Sequence, residues 1–194
     1  MPTPPTLAYT ISSWSQPSSI GESPFVIVGG GRDSTRMRPD KPQADSYWIV
    51  CISRNNPRQK VKDWIVPGQN SSTVPADIDT YFSDPANLFA VATQLLNTGH
   101  VPQGIFYDFL AKYGAGRELQ KLKQLNTVLG SSPYSVVNYV LTGQCGPRGP
   151  GIPPPTSYES SNFDPTAIVM MMSLMPMPDG KPPYSISDSY TFDK

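Results

Sequence analysis

Three consecutive glycines, Gly29, Gly30 and Gly31, follow the apolar run FVIV and lead into Arg32 and Asp33. Many phosphate sites begin with a strand ending in a glycine loop, because backbone N–H groups approach an anion closely where no side chain intervenes. A P-loop needs GxxxxGK and then Ser or Thr, and a dinucleotide site needs GxGxxG opening a helix. Here RDSTRMRPDKP follows, and its prolines exclude a prompt helix. The context argues against a nucleotide and for a sharp backbone turn with Arg32 and Asp33 at its rim. Nucleophilic chemistry also lacks parts, since no GxSxG elbow occurs. The sole histidine, His100, sits between a Thr-Gly turn and a Val-Pro step and reads as an exposed loop residue. With only Cys51 and Cys145 beside it, a tetrahedral zinc site cannot be filled by cysteines and histidine alone. The two cysteines read as small buried hydrophobes or as one disulfide joining two strands. Asp77, Asp79 and Asp84 cluster around a short helix and read as capping and turn carboxylates rather than a glycosidase pair. No enzyme activity, cofactor or metal is expected.

Aromatic residues are the more suggestive signal. Ten tyrosines and three tryptophans exceed what a small core needs. Aromatic faces stack on sugars and equally anchor protein interfaces. The candidate ligand-binding residues are Gly29, Gly30, Arg32, Asp33, Tyr47 and Trp48. Candidate interface residues are Met170, Met172, Met175, Tyr184 and Tyr190, in the proline- and methionine-rich end of the chain.

The elements that must position these residues are largely strands. LAYTISSW, residues 7–14, alternates weakly and reads as an edge strand. YWIVCIS, 47–53, is apolar on both alternating faces, as in a central strand covered on both sides. RNNPR is a turn, and VKDWIV, 61–66, returns as the second strand of a hairpin. A short helix is expected over 77–82 and a strand over 88–93. A helix over 103–113 carries Ile105, Phe106, Phe109 and Leu110 on one side. A second helix, 117–129, repeats Leu119, Leu122, Leu125 and Val128 at a spacing of three, with Gly130 as its stop. YSVVNYVLT, 134–142, is a further strand. From Gly143 the chain turns proline-rich, and Pro153-Pro154-Pro155 favours polyproline II.

The bulk numbers narrow the function classes. The 194 residues suffice for one domain with a real core. There are 23 prolines, and only 15% of residues are charged. Fifteen basic residues balance fifteen acidic ones, so there is no electrostatic footprint for nucleic acid. No run approaches the ~20 apolar residues of a membrane span. The start, MPTPPTLAYTISS, lacks the basic and apolar regions of a Sec signal, so a cytosolic, virion or non-Sec extracellular location is expected.

The segments DSYWIVCISRNN, VPADIDTYFSDPANLFAVAT, ELQKLKQLNTVLGSS and YVLTGQCG together resemble the interleukin-like EMT inducer domain (ILEI or PANDER), also described as a GG-type lectin domain. The likeness covers roughly residues 25–152 and implies a non-catalytic, compact β-sandwich flanked by short helices, carbohydrate-binding in some members and cytokine-like in others. This chain has Gln94-Leu95-Leu96 where the family often shows an aspartate pair, and Val136-Val137-Asn138-Tyr139 where it often shows an arginine. Those departures argue against an inherited sugar pocket. The expectation is therefore an α+β fold: an N-terminal extension over 1–20, an ILEI-like globular domain over 21–152 and a proline-rich C-terminal extension over 153–194. Its expected role is that of a structural or binding subunit of a larger homo- or hetero-oligomeric assembly, a virion or surface appendage, with a free-standing lectin as the alternative. Deleting residues 155–194 is expected to leave a folded monomer that no longer assembles.

Overall fold

The computed structural model describes residues 6–15, 23–129, 136–148, 156–163, 165–178 and 183–191, with the side chains of 129 and 188–191 excepted. Within them the chain forms two antiparallel sheets of eleven strands in all, with three helices. The six-stranded sheet is built on β4 (Ser46–Ser53), flanked by β5 (Lys60–Pro67) and β6 (Asn87–Gln94). Next comes β8 (Val136–Gln144), which also pairs β7 (Leu96–Asn97) and β9 (Ser157–Asn162). The five-stranded sheet has β1 (Leu7–Ser12) at its centre. On one side of β1 lie β2 (Phe25–Val28) and β3 (Thr35–Met37). On the other lie β10 (Val169–Met175) and β11 (Ser185–Thr191). The expected edge strand is thus the middle of a sheet, and the expected loop after the glycines contains β3.

The period-two pattern of β4 explains the layering. Tyr47, Ile49 and Cys51 point to one face and pack with the helices, while Trp48, Val50 and Ile52 point to the other and pack with the five-stranded sheet. A strand that is apolar on both faces needs two covers, and it has them. Helices α1 (Ile78–Phe82), α2 (Gly104–Lys112) and α3 (Arg117–Leu129) form the first cover. In α2 the buried stripe is Phe106, Phe109 and Leu110, whereas Ile105 is exposed. In α3, Leu119 and Leu122 are buried but Val128 is 79% exposed. Three residues advance a helix by about 300°, so a strict spacing of three drifts steadily and has reached the opposite side by Val128. Gly130 and Pro153 to Pro155 lie outside the described residues.

The strand pairing corrects the expected domain boundaries. Leu7 to Ser12 pair with Leu174 to Val169, so the two supposed extensions hydrogen-bond to each other inside the fold. Arg54 fixes the approach to β11: its Nε donates to Tyr184 O at 2.7 Å, Nη1 to Pro85 O at 2.9 Å and Nη2 to Ser185 Oγ at 3.1 Å. Glu159 on β9 serves α3, accepting from the N–H groups of Gly116, Glu118 and Leu119 at 2.8, 2.9 and 3.3 Å. Met170, Met172 and Leu174 fill the space between the sheets. Prolines flank these segments and set them apart in sequence, although β1 and β10 are themselves apolar runs. Their strands are completed by backbone pairing, which composition does not report.

Candidate functional site

The glycine loop begins where β2 ends. Gly29 has φ +96°, and its N–H donates to Ala8 O at 2.8 Å. A Cβ there would stand 2.8 Å from Asp33 O and 3.1 Å from Arg58 Nη2, so only glycine fits. The three glycines have different roles: Gly31 also sits at positive φ, +58°, but in open space, and Gly30 is extended with nothing within 4 Å of a Cβ. Together they turn the chain from β2 into β3. Arg32 and Asp33 lie exposed on the rim, with the Arg58 guanidinium close by.

Tyr47 and Trp48 do not join them, a correction to the ligand set drawn from sequence. Both are fully buried on opposite faces of β4. Tyr47 packs edge-on against Phe106 at 4.9 Å and donates its hydroxyl to His100 O at 2.6 Å. Trp48 lies between the sheets and donates Nε1–H to Asp63 Oδ2 at 3.0 Å. Arg58 belongs to the turn after β4, whereas Tyr47 and Trp48 begin that strand, so six residues of extended chain, roughly 20 Å, separate them from the glycine rim.

The opposite end of the sheet holds a polar cluster that sequence reading missed. Asp45 Oδ2 lies 2.6 Å from His100 Nδ1, Asp45 Oδ1 accepts Asn97 N–H at 3.0 Å, and Asp45 O accepts Gly68 N–H at 2.7 Å. Asp45 and Leu95, neighbours at this end, both have positive φ, +53° and +49°. An L-residue in that region stores strain that the surroundings must hold. Gly68 is part of the clamp: a Cβ there would meet Asp45 Oδ1 at 2.7 Å and His100 Nδ1 at 2.9 Å. The aspartate orients the imidazole as it would in a general base. The pair ties three loops together. The pair escaped notice because its members stand 55 residues apart.

The chain matches no family model and no curated protein.

The remaining sequence candidates divide cleanly. Asp77 accepts Trp64 Nε1–H at 2.8 Å, a bond that with Lys62 holds its carboxyl below the usual range. Asp79 pairs with Lys112 and Asp84 accepts Ala86 N–H as a turn carboxylate does, whereas the Asp77 side chain does not cap α1 as expected. Among the described residues no three His, Cys, Asp or Glu side chains stand close enough to hold a metal. Of the interface candidates, Met170, Met172 and Tyr184 are buried in the protein's own core, which corrects their assignment. Tyr190 pairs with Met171 through β11, and its side chain lies outside the described residues. Met175 is exposed, as is Met171 on the same face of β10.

Among the described residues, two surfaces stand open to a partner. One is the outer face of the five-stranded sheet. Register places Arg36, Ile27, Thr10 and Met171 in one row across it, and Phe25, Ser12 and Val169 in the next. The Arg36 guanidinium stacks 3.9 Å over the Phe25 ring. The other is a cleft of about 340 Å³ between α2 and α3, lined by Gln103, Tyr107, Asp108, Lys123 and Asn126 among others, with Lys123 Nζ 4.7 Å over the Tyr107 ring.

Proposed function

We propose that the chain is a non-catalytic structural or binding subunit that assembles with other protein subunits, first of all copies of itself, through the outer face of the five-stranded sheet. The observation that carries this reading is β10, VMMMSLM. Like β4 it is apolar on both faces, yet among the described residues only one face is covered: Met170, Met172 and Leu174 are buried, while Met171 and Met175 remain 42% and 46% exposed. Half-buried Val169, Ile27 and Phe25 extend the patch. Methionine side chains adapt to irregular partners, which suits a contact of this kind. Among the described residues the charges beside these rows are Arg36, already stacked on Phe25, and its exposed neighbour Arg38, and the chain has zero net charge. Both cations sit at the β3 edge of the sheet, separated from β10 by β1 and β2, so a two-fold axis can lay β10 against its own image.

The test is mass by light scattering over a concentration series for the wild type and for Met171→Lys with Met175→Lys. Expected are a wild-type mass above the 21.2 kDa of one chain and a monomeric variant with an unchanged thermal midpoint. A wild type that stays monomeric at every concentration overturns self-assembly. A free-standing lectin is the second reading, favoured by the exposed rim at Arg32 and Asp33 and by the Tyr107, Asp108 and Asn126 side chains in the α2–α3 cleft. Specific, competable binding on a glycan array by a monomeric protein would favour it.

A further inference from the structure

We infer that Cys51 and Cys145 are the two halves of one intrachain disulfide that closes when the chain folds in an oxidising environment. Cys51 lies on β4 opposite Phe89 of β6, and Phe89 lies opposite Gly143 of β8. By strand order alone the two cysteines would be separated by β6. The chain leaving β8 removes that separation. Cys145 N–H donates to Asn87 O at 3.0 Å and Gly146 N–H to Phe82 O at 2.8 Å, which turns the segment across the end of β6 toward β4. Both side chains enter the same core, on the helix side of the sheet, and the two thiols influence each other there. From there an S–S bond of about 2.05 Å needs a short approach of two sulfurs.

The environment decides when the bond can form. Cys51 and Cys145 are 0% and 3% exposed. Burial, the Cys145 contact and the negative charge of Asp84 all push the Cys51 thiol up, so the reactive thiolate is suppressed in the folded protein. Oxidation therefore belongs to folding, while the core is still open. With oxidised glutathione the chemistry is two thiol–disulfide exchanges. One cysteine thiolate attacks a glutathione sulfur and displaces a glutathione thiolate. The second cysteine then attacks the mixed disulfide and displaces the other glutathione. Two protein thiols and one oxidised glutathione give one protein disulfide and two reduced glutathiones. The product clamps β4 to the end of β8 across the sheet and closes a long loop through β5, β6 and all three helices.

The test uses the full chain, unfolded in denaturant with reductant and refolded by dilution into oxidised or reduced glutathione, with free thiols then blocked by iodoacetamide. Expected after oxidised refolding is a non-reduced peptide map with Cys51 and Cys145 in one linked species, two hydrogens lighter than its parts. The thermal midpoint should rise by roughly 10 °C over the reduced form. Native reduced protein given the same oxidant should stay a dithiol. In the Cys51→Ala and Cys145→Ala double variant, the oxidant-dependent shift should vanish. Both cysteines still alkylated, each capped by glutathione, or linked only between chains after oxidised refolding would overturn the inference. Equally fast linking in the folded protein would overturn its confinement to folding.

Discussion

Replacing Glu159 by alanine removes the carboxylate that joins β9 to the start of α3. Four donors converge on it: the N–H groups of Gly116, Glu118 and Leu119, and the Tyr139 hydroxyl at 3.0 Å. Helix N-termini leave unsatisfied N–H groups and carry partial positive charge, so a carboxylate stabilises them by capping and by the dipole. Loss of a cap costs about 1 kcal/mol, and the dipole term adds about 0.5 kcal/mol at a partly exposed site. Tyr139 is fully buried, and its stranded hydroxyl costs a further 1–3 kcal/mol or so. The expected loss is thus about 3–4 kcal/mol. Glu159→Gln, which keeps an acceptor but not the charge, should lose about 1–2 kcal/mol. Tyr139→Phe removes the hydroxyl that Glu159→Ala would strand, so the double variant should be more stable than additivity predicts by about 1–2 kcal/mol. Urea unfolding followed by tryptophan fluorescence measures the wild type and the four variants. A Glu159→Ala loss below about 0.5 kcal/mol, or an additive cycle, would refute the claim that β9 is structurally engaged with α3.

Gly29→Ala should destabilise the protein by about 1–3 kcal/mol in the same assay, whereas Gly30→Ala should be neutral within about 0.5 kcal/mol, because only Gly29 combines positive φ with a crowded Cβ position. Deleting residues 155–194 removes β9, β10 and β11 and uncovers Tyr9 and Ile11, so the truncated chain should lose cooperative unfolding, where the sequence reading expected a folded monomer. Burial raises Tyr9, Tyr47 and Tyr139 above the ordinary tyrosine range and pushes Tyr113 up to about 12. A folded pKa above the unfolded one leaves stability whole below about pH 10 and erodes it as pH rises toward the folded values. Absorbance at alkaline pH should therefore show these buried tyrosines ionising only with unfolding.

The sequence revealed those parts of the fold that rest on local pattern. β4 was readable because both faces are apolar, and α3 because Leu119 and Leu122 recur on one side before the spacing drifts. The ends of the chain were not readable. β1 and β10 complete each other across more than 150 residues, and β9 is a polar strand whose main partner, β8, is nearly all buried. The candidate ligand set failed at Tyr47 and Trp48, although the pattern that makes β4 a strand covered on both sides also buries both residues. His100 and Asp45 meet only because β4 and the turn after β7 end at the same edge, a proximity set by topology. Met171 was legible in principle. A strand apolar on both faces predicts two covers, and finding one of them missing required the fold.

That missing cover can be probed atom by atom. Methyl-labelled methionine gives separate NMR signals for the outward Met171 and Met175 and the inward Met170 and Met172, which serve as internal controls on one strand. On raising the protein concentration, the Met171 and Met175 methyl signals should shift or broaden together while those of Met170 and Met172 hold still. Outward signals that never move with concentration, or changes confined to the inward pair, would contradict assembly through this face.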